Sequence, residues 1–178
     1  MRKETCVSVL IALLLGAIVA VSGSGTIAQE SSIPLAQGPV VLEVSGSTLA
    51  SAPDQAFAFD IAGLESLGTT DIRTETPWTT GVITFTGVRL RDILKAVGAQ
   101  DMAVIATALN DYSTKIPGED LDIYDVVVAT RRDGDLMSVR DRGPLWVIYP
   151  WSEHPELRKE LYYSRSVWQL SSLEILGQ

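Results

Sequence analysis

The spacing of apolar residues changes within one stretch of the chain, residues 82–97. Alternate positions carry β-branched side chains from residue 82 to residue 86, which is typical of a strand. The apolar positions that follow have helical spacing, at Leu90, Ile93, Leu94 and Val97. The pattern predicts a strand that passes into a helix, with Gly87 at the junction, where a β-branched side chain would resist a turn.

Before this stretch, the pattern predicts two strands and a short helix. Residues 39–44 and 56–59 are apolar or alternating, which indicates strands. Asp60 is a favourable N-cap for a helix that ends at Gly68. Residues 74–78 are polar and contain a proline, so we expect a loop there that carries one tryptophan.

After this stretch, the pattern predicts mostly strands. They cover residues 102–109, 126–130 and 145–149 and a final strand that begins near Trp168. Residues 132–135 have the composition of a hairpin turn, and Pro155 is a suitable first residue for a short helix. The apolar phase slips by one residue at Ser171–Ser172, which predicts a bulge in the final strand.

The N-terminus is predicted to be a signal peptide that covers residues 1–28. Two basic residues precede an uncharged apolar run from Val7 to Val21, and small residues before Ala28 suit cleavage after that position. A run of about fifteen apolar residues is shorter than the roughly 20 that span a bilayer. We therefore expect a periplasmic or secreted protein, or a membrane-anchored one if the leader stays uncut.

Composition limits what the rest of the chain can do. Residues 29–38 are polar and are predicted to be a flexible tether, followed by one domain over residues 39–178. The one cysteine, Cys6, lies in the leader, so the domain is predicted to have no disulfide and no thiolate metal site. The chain has a formal net charge of −8, which excludes nucleic acid as a partner because its backbone requires a basic face.

Several short motifs follow one another through the domain. They are TPWT at residues 76–79, FTGVRLRDIL at 85–94, ALNDY at 108–112, DGDLM at 133–137 and RDRGPLW at 140–146. This order resembles the sulfite-oxidase-like, molybdopterin-binding oxidoreductase domain, over a match from about Leu64 to Ile175. The resemblance implies an α+β fold with a mixed or antiparallel sheet core and short helices, and it is strongest to the small exported members of the family.

The resemblance also shows one departure from the family. In that family, a protein cysteine four residues before the tryptophan binds molybdenum together with the pterin dithiolene. Counting back four residues from Trp78 gives Thr74. A threonine hydroxyl is a hard ligand that stays protonated at neutral pH, whereas the metal site requires a soft thiolate. We therefore expect no cofactor and no metal, although the resemblance makes molybdopterin the cofactor to test.

A ligand pocket is predicted between the loop at residues 74–78 and residues 110–112. Trp78 can stack on a flat ligand, but Trp more often fills a core. Asn110, Asp111 and Tyr112 can donate and accept convergent hydrogen bonds, and the alternative is a turn in which Asn or Asp binds nearby backbone. Two aromatic residues that follow a buried strand can border the same pocket or simply end the strand: Tyr149 and Trp151.

Charged residues give weaker candidates for binding sites. Arg131 and Arg132 lie near a predicted hairpin end together with Arg140 and Arg142, and such a group suits a phosphate or carboxylate. Neighbouring aspartates favour instead a neutralised, solvated patch. The acidic residues between positions 119 and 125 do not have calcium-loop spacing, so we expect a solvated acidic loop.

These observations predict an exported binding or sensory-accessory protein on a molybdopterin-binding oxidoreductase fold, without molybdenum chemistry. Its partner is expected to be a small-molecule ligand or a membrane-bound protein. The alternative is a molybdopterin-dependent oxidoreductase that acts on a small molecule. Hydrolase chemistry has little support because the only histidine, His154, is not accompanied by a G-x-S-x-G motif.

Overall fold

The computed structural model describes residues 36–46 and 56–177. All of them belong to a compact unit that covers residues 31–178. The predicted leader and the predicted tether up to residue 35 lie outside the described residues. The last tether residues are held, because Gln37 and Gly38 donate backbone hydrogen bonds to Asp60 Oδ2 at 2.9 and 2.7 Å.

The described part of the chain forms two sheets, and the first has five strands in the order β2-β1-β10-β5-β6. Its strands are β1 (Leu42–Ser45), β2 (Phe57–Phe59), β5 (Val104–Ala108), β6 (Ser113–Ile116) and β10 (Leu170–Ile175). The pairing of β1 with β10 is parallel and the other pairings are antiparallel. The register between β10 and β5 shifts between Leu170 and Ser172, which confirms the bulge predicted at that position.

The second sheet also has five strands. They are β3 (Thr70–Thr74), β4 (Ile83–Arg89), β7 (Val127–Arg132), β8 (Asp135–Leu136) and β9 (Trp146–Ile148). The order is β3-β4-β7, and both β8 and β9 pair with β7 at successive positions along it. The predicted hairpin turn is confirmed, since Asp133 and Gly134 both have positive φ between β7 and β8.

Within residues 36–46 and 56–177, four short α-helices connect the strands. They are α1 (Ile61–Glu65), α2 (Leu90–Ala96), α3 (Gly118–Ile123) and α4 (Glu160–Arg165). The predicted cap of α1 is confirmed, because Asp60 accepts a hydrogen bond from Gly63 N–H at 2.7 Å. Three backbone hydrogen bonds lower the pKa of this carboxyl, the largest effect coming from Gly63 and the next from Gly38.

The two sheets meet where β9 runs beside the segment that enters β10. Val147 N–H donates to Val167 C=O and Leu170 N–H donates to Leu145 C=O. A continuous apolar core fills the domain, and its largest fully buried side chains include Trp146, Trp151 and Tyr149. No helix within residues 36–46 and 56–177 has the length and apolar character that crossing a membrane requires.

The structure corrects the predicted role of Gly87. Strand β4 continues through this residue to Arg89, and α2 begins only at Leu90. The register with β7 shifts between Thr86 and Gly87, and a Cβ atom at Gly87 would lie 2.1 Å from Val128 O. Glycine is therefore needed because two strands approach closely at a bulge, and not because the chain turns.

Other boundaries also differ from the sequence patterns. Strands β3 and β6 were not predicted, and the helix predicted from Pro155 is divided into a 3-10 turn at Pro155–Leu157 and α4. The acidic residues between positions 119 and 125 were predicted to form a solvated loop, and this is wrong. Part of the segment forms α3, and Asp120 is buried. Buried charge of this kind requires a partner, which the pattern along the chain does not show.

Candidate functional site

Trp78 lies at the centre of a cluster of aromatic rings. Its ring centroid is 5.3 Å from that of Trp168, 5.8 Å from Trp146, 5.9 Å from Tyr163 and 6.0 Å from Trp151. Most of these pairs have edge-to-face geometry, which the electrostatics of aromatic rings favours. Trp78 is only half-buried, so the ring that joins the cluster also faces solvent.

An open cleft of about 300 Å³ lies against this cluster. Helix α4 and the residues between it and β10 provide most of one side of the cleft. Trp78 and the turn between β5 and β6 provide the rest of the lining. The lining residues are Trp78, Ala108, Asn110, Tyr112, Glu160, Tyr163, Ser164, Ser166, Val167 and Trp168. The cleft thus combines three half-buried aromatic side chains with hydroxyl, amide and carboxylate groups at its edge, as ligand sites commonly do.

The turn between β5 and β6 positions two of the predicted residues. Asn110 Oδ1 accepts a hydrogen bond from Tyr112 N–H at 3.3 Å, which closes an Asx turn. Tyr112 Oη donates to Ser164 C=O at 2.8 Å and so ties this turn to α4. Asp111 has a φ of 64° and is exposed, and it does not line the cleft. The predicted turn is therefore confirmed, and Asn110 and Tyr112 line the cleft, while hydrogen bonding of this segment to a ligand stays a prediction.

Thr74 is fully buried at the end of β3 and does not line the cleft. Its Oγ1 accepts a hydrogen bond from Ser152 N–H at 3.0 Å and lies 3.1 Å from Glu75 C=O, to which it donates. Ser152 Oγ in turn accepts from Glu75 N–H at 3.0 Å. These bonds join β3 to the chain that follows β9, so the Thr74 hydroxyl has partners within the protein.

Tyr149 and Trp151 lie behind the cleft instead of lining it. Trp151 is buried between the rings of Trp78 and Tyr163, and its indole Nε1 has no hydrogen-bond partner among the described residues. Tyr149 Oη donates to Asp120 Oδ2 at 2.8 Å, and Arg165 Nη1 donates to the same oxygen at 2.8 Å. Burial, followed by the charge of Asp120, raises the pKa of Tyr149 well above its usual range.

The buried Asp120 carboxylate connects α3 to the end of α4. Since α4 carries Glu160, Tyr163 and Ser164 on the cleft side, this ion pair helps to fix the position of one cleft wall. A buried carboxylate with both a guanidinium and a phenol as donors has the partners that such burial requires.

Arg131 and Arg132 are not brought to the cleft. Arg131 forms a bidentate pair with Glu65, with Nε and Nη2 at 2.8 and 3.2 Å from the two carboxylate oxygens. This guanidinium is the main cause of a lowered pKa of Glu65. Arg132 borders a separate depression together with Asp133, Asp135 and Asp141. Anion binding at these two residues stays a prediction, and the surroundings of both are acidic.

One whole side of the cleft was not predicted from the sequence. Glu160, Tyr163 and Ser164 come from α4, and Ser166, Val167 and Trp168 come from the segment that follows it. The only available signal was the density of aromatic residues between positions 162 and 168. Proximity to Trp78 depends on pairing between distant strands, and local patterns do not contain that information.

A family model described as the oxidoreductase molybdopterin binding domain matches residues 43–161. The chain belongs to this family. No curated protein matches it. The predicted family and the predicted fold class, a mixed sheet core with short helices, are both confirmed.

A solved structure supports the same fold. The crystal structure of the sulfane dehydrogenase SoxCD from Paracoccus pantotrophus is similar to this chain, with a TM-score of 0.57 and 17% sequence identity. The match covers 82% of this chain but 40% of that chain, so the present chain corresponds to less than half of its structural neighbour. At this level of identity the similarity concerns the fold.

The residues present do not fit the family's cofactor at the position of the metal ligand. The position that supplies a thiolate in the resembling family carries Thr74, whose hydroxyl binds Ser152 and Glu75. Elsewhere in residues 36–46 and 56–177, no group of three or more His, Cys, Asp or Glu side chains can hold a metal ion.

Proposed function

We propose that this member of the molybdopterin-binding oxidoreductase family is an exported binding or sensory-accessory protein that works without molybdenum chemistry. Its ligand is a small molecule held in the aromatic cleft beside Trp78. The observation that carries this proposal is the cleft itself, in which residues from three separate segments converge on an open volume of about 300 Å³.

The aromatic walls support binding of an apolar or flat group. Trp78, Tyr163 and Trp168 are half-buried, so part of each ring is packed in place while another part remains accessible. Rings held in this way offer contact area with little loss of conformational freedom on binding. The Asn110 amide and the Ser164 hydroxyl can then orient polar groups of the ligand.

The hydrogen bonds of Thr74 support a role in architecture for that position. Its hydroxyl joins β3 to the loop after β9. Strand β3 leads into the segment that contains Trp78, and the loop after β9 contains Trp151. A buried hydroxyl that is fully occupied in this way does not provide an open, soft metal ligand. One scaffold commonly serves unrelated activities once the groups that carry a reaction are changed.

The proposed export of the protein and the proposed class of partner are supported by the sequence. The leader pattern of residues 1–28 supports a periplasmic or secreted location, and residues 29–38 can place the domain near a membrane-bound partner protein. The acidic composition supports partners other than nucleic acid.

Titration with N-phenyl-1-naphthylamine tests the cleft directly, because this neutral probe becomes fluorescent when it enters an apolar site. We expect saturable binding of one probe per chain. Trp78→Ala should weaken it roughly tenfold by removal of one wall, and Asn110→Ala should weaken it a fewfold. Leu136→Ala is the matched control, because Leu136 is an exposed apolar residue that does not line the cleft.

Circular dichroism on each variant separates lost binding from lost folding. If the folded Trp78→Ala and Asn110→Ala variants both bind the probe as the wild type does, the cleft is not the binding site. Absence of saturable binding to the wild type would also contradict the proposal.

The second candidate is a molybdopterin-dependent oxidoreductase, which family membership itself favours. Fluorescent pterin extracted from protein purified from its native host would support that function. Co-purification of a membrane protein without any small ligand would instead support a docking role.

A further inference from the structure

The rings that line the cleft stand at large angles to each other. Both Tyr163 and Trp168 are inclined by 76° to the plane of Trp78, with centroids 5.9 and 5.3 Å away. A flat stack would leave a slot for one planar ligand. Rings that meet at such angles form the sides of a corner instead, and a corner can direct several electron-rich surfaces toward one group.

The charge on the cleft lining has a single sign. Glu160 is exposed at the start of α4, and it is the one charged side chain among the described residues that line the cleft. Aromatic faces carry negative electrostatic potential, so they and the carboxylate favour the same kind of ligand. An anionic ligand would meet these groups without any guanidinium or ammonium in the lining.

Cations already lie on rings in this cluster and beside it. The Arg142 guanidinium carbon is 5.4 Å from the ring centroid of Trp146 and 5.8 Å from that of Trp168. The Arg165 guanidinium carbon is 5.5 Å from the Tyr162 centroid, and its charge is balanced by Asp120 at 2.8 Å. Neither arginine lines the cleft. Arg142 shows that a ring of the cleft accepts a cation, and its charge would also partly oppose a second one.

We infer that the cleft binds an organic cation whose charged centre carries small alkyl groups, of the quaternary-ammonium class. The aromatic corner contacts the alkyl groups and stabilises the positive charge, while Glu160 provides the opposite charge at the cleft edge. This inference rests on the proposed function, because it names the class of ligand that the same cleft would bind.

Competition with two ligands of the same shape tests the inference. Choline carries a trimethylammonium group, and 3,3-dimethylbutan-1-ol is its neutral counterpart with carbon in place of nitrogen. Each is titrated against the full chain loaded with N-phenyl-1-naphthylamine. We expect choline to displace the probe at a concentration roughly tenfold lower than the alcohol requires, because only choline gains the cation-π and carboxylate contributions.

Glu160→Gln isolates the contribution of the carboxylate. This exposed, isosteric change should raise the choline concentration needed for displacement severalfold and leave that of the alcohol unchanged. Glu153→Gln is the matched control, since Glu153 is an exposed carboxylate outside the lining. Sodium chloride at high concentration should weaken choline binding to the wild type more than to Glu160→Gln.

The outcomes separate this inference from the proposed function. Displacement by both ligands at equal concentrations, or by neither while the probe stays bound, overturns the cation inference and leaves the cleft as a binding site. Equal behaviour of Glu160→Gln and wild type toward choline also overturns it. If the probe does not bind and choline does not change the protein's tryptophan fluorescence, both proposals are wrong.

Discussion

The Thr74 hydroxyl is the smallest feature on which the proposed function depends. It is fully buried and accepts a hydrogen bond from Ser152 N–H at 3.0 Å. Replacement by an apolar side chain of similar shape would leave that part-buried N–H without its acceptor and would bury no oxygen in place of the Thr74 hydroxyl. Because an unsatisfied buried polar group is costly, the hydroxyl is expected to stabilise the fold at this position.

Thr74→Val should therefore lower the free energy of unfolding by about 1–3 kcal/mol. Thr74→Ser keeps the oxygen and loses only a methyl group, so its loss should be smaller, about 1 kcal/mol. Urea denaturation followed by circular dichroism measures both. A Thr74→Val protein as stable as the wild type would show that the hydroxyl has no structural role.

The role of a single residue could be predicted from the sequence where it depends on a partner only a few residues away along the chain. Asp60 caps α1 through a bond to Gly63, three residues away, and the sequence pattern predicted it. Gly87 was singled out for the wrong reason, since the constraint comes from Val128 on a strand that is distant in sequence. The same limit applies to Asp120, whose partners Tyr149 and Arg165 follow it by 29 and 45 residues.

At the scale of elements, an ion pair connects α1 to β7. Glu65 accepts from Arg131 and from the buried hydroxyl of Thr130, and the hydrogen bond from Arg131 is the main reason that the pKa of Glu65 is lowered from its ordinary value of 4.5. A carboxyl whose pKa is lowered on folding stabilises the fold above that ordinary value. Its contribution is lost as the pH falls below 4.5 and the carboxylate is protonated.

Glu65→Gln should consequently be less stable than the wild type by about 1 kcal/mol at pH 7, because the pair is partly exposed. The difference should shrink as the pH is lowered below 4.5. Urea denaturation at several pH values measures it, with Glu119→Gln as an exposed control. A difference that does not change with pH would contradict the role assigned to the Glu65 charge.

Element prediction succeeded where the apolar period was regular. The change from strand to helix at residues 82–97 and the bulge in β10 both followed from side-chain spacing. Strands β3 and β6 were missed because they are rich in Thr, Ser and charged residues, with sequences TDIRT and STKI. Each lies at a sheet edge, where pairing with one neighbour is enough to define a strand.

At the scale of the whole molecule, the candidate site is formed by segments that lie far apart in sequence. Trp78, the turn at residues 110–112 and α4 meet only because β9 runs beside the entry to β10. The order of motifs predicted the first two, through resemblance to a family that is now confirmed. The position of α4 depends on long-range packing and on the buried Asp120–Arg165 pair, and the sequence carries no local sign of either.

The central claim is that this fold binds its ligand without molybdenum. Its most direct test is the molybdenum and pterin content of the full chain, expressed with its leader in a host that makes molybdenum cofactor. A molybdenum enzyme produced in the same host serves as the control for cofactor supply. We expect a folded protein with no stoichiometric molybdenum and no extractable pterin. About one molybdenum per chain would contradict the claim and would make this protein an oxidoreductase that binds its metal without a cysteine thiolate.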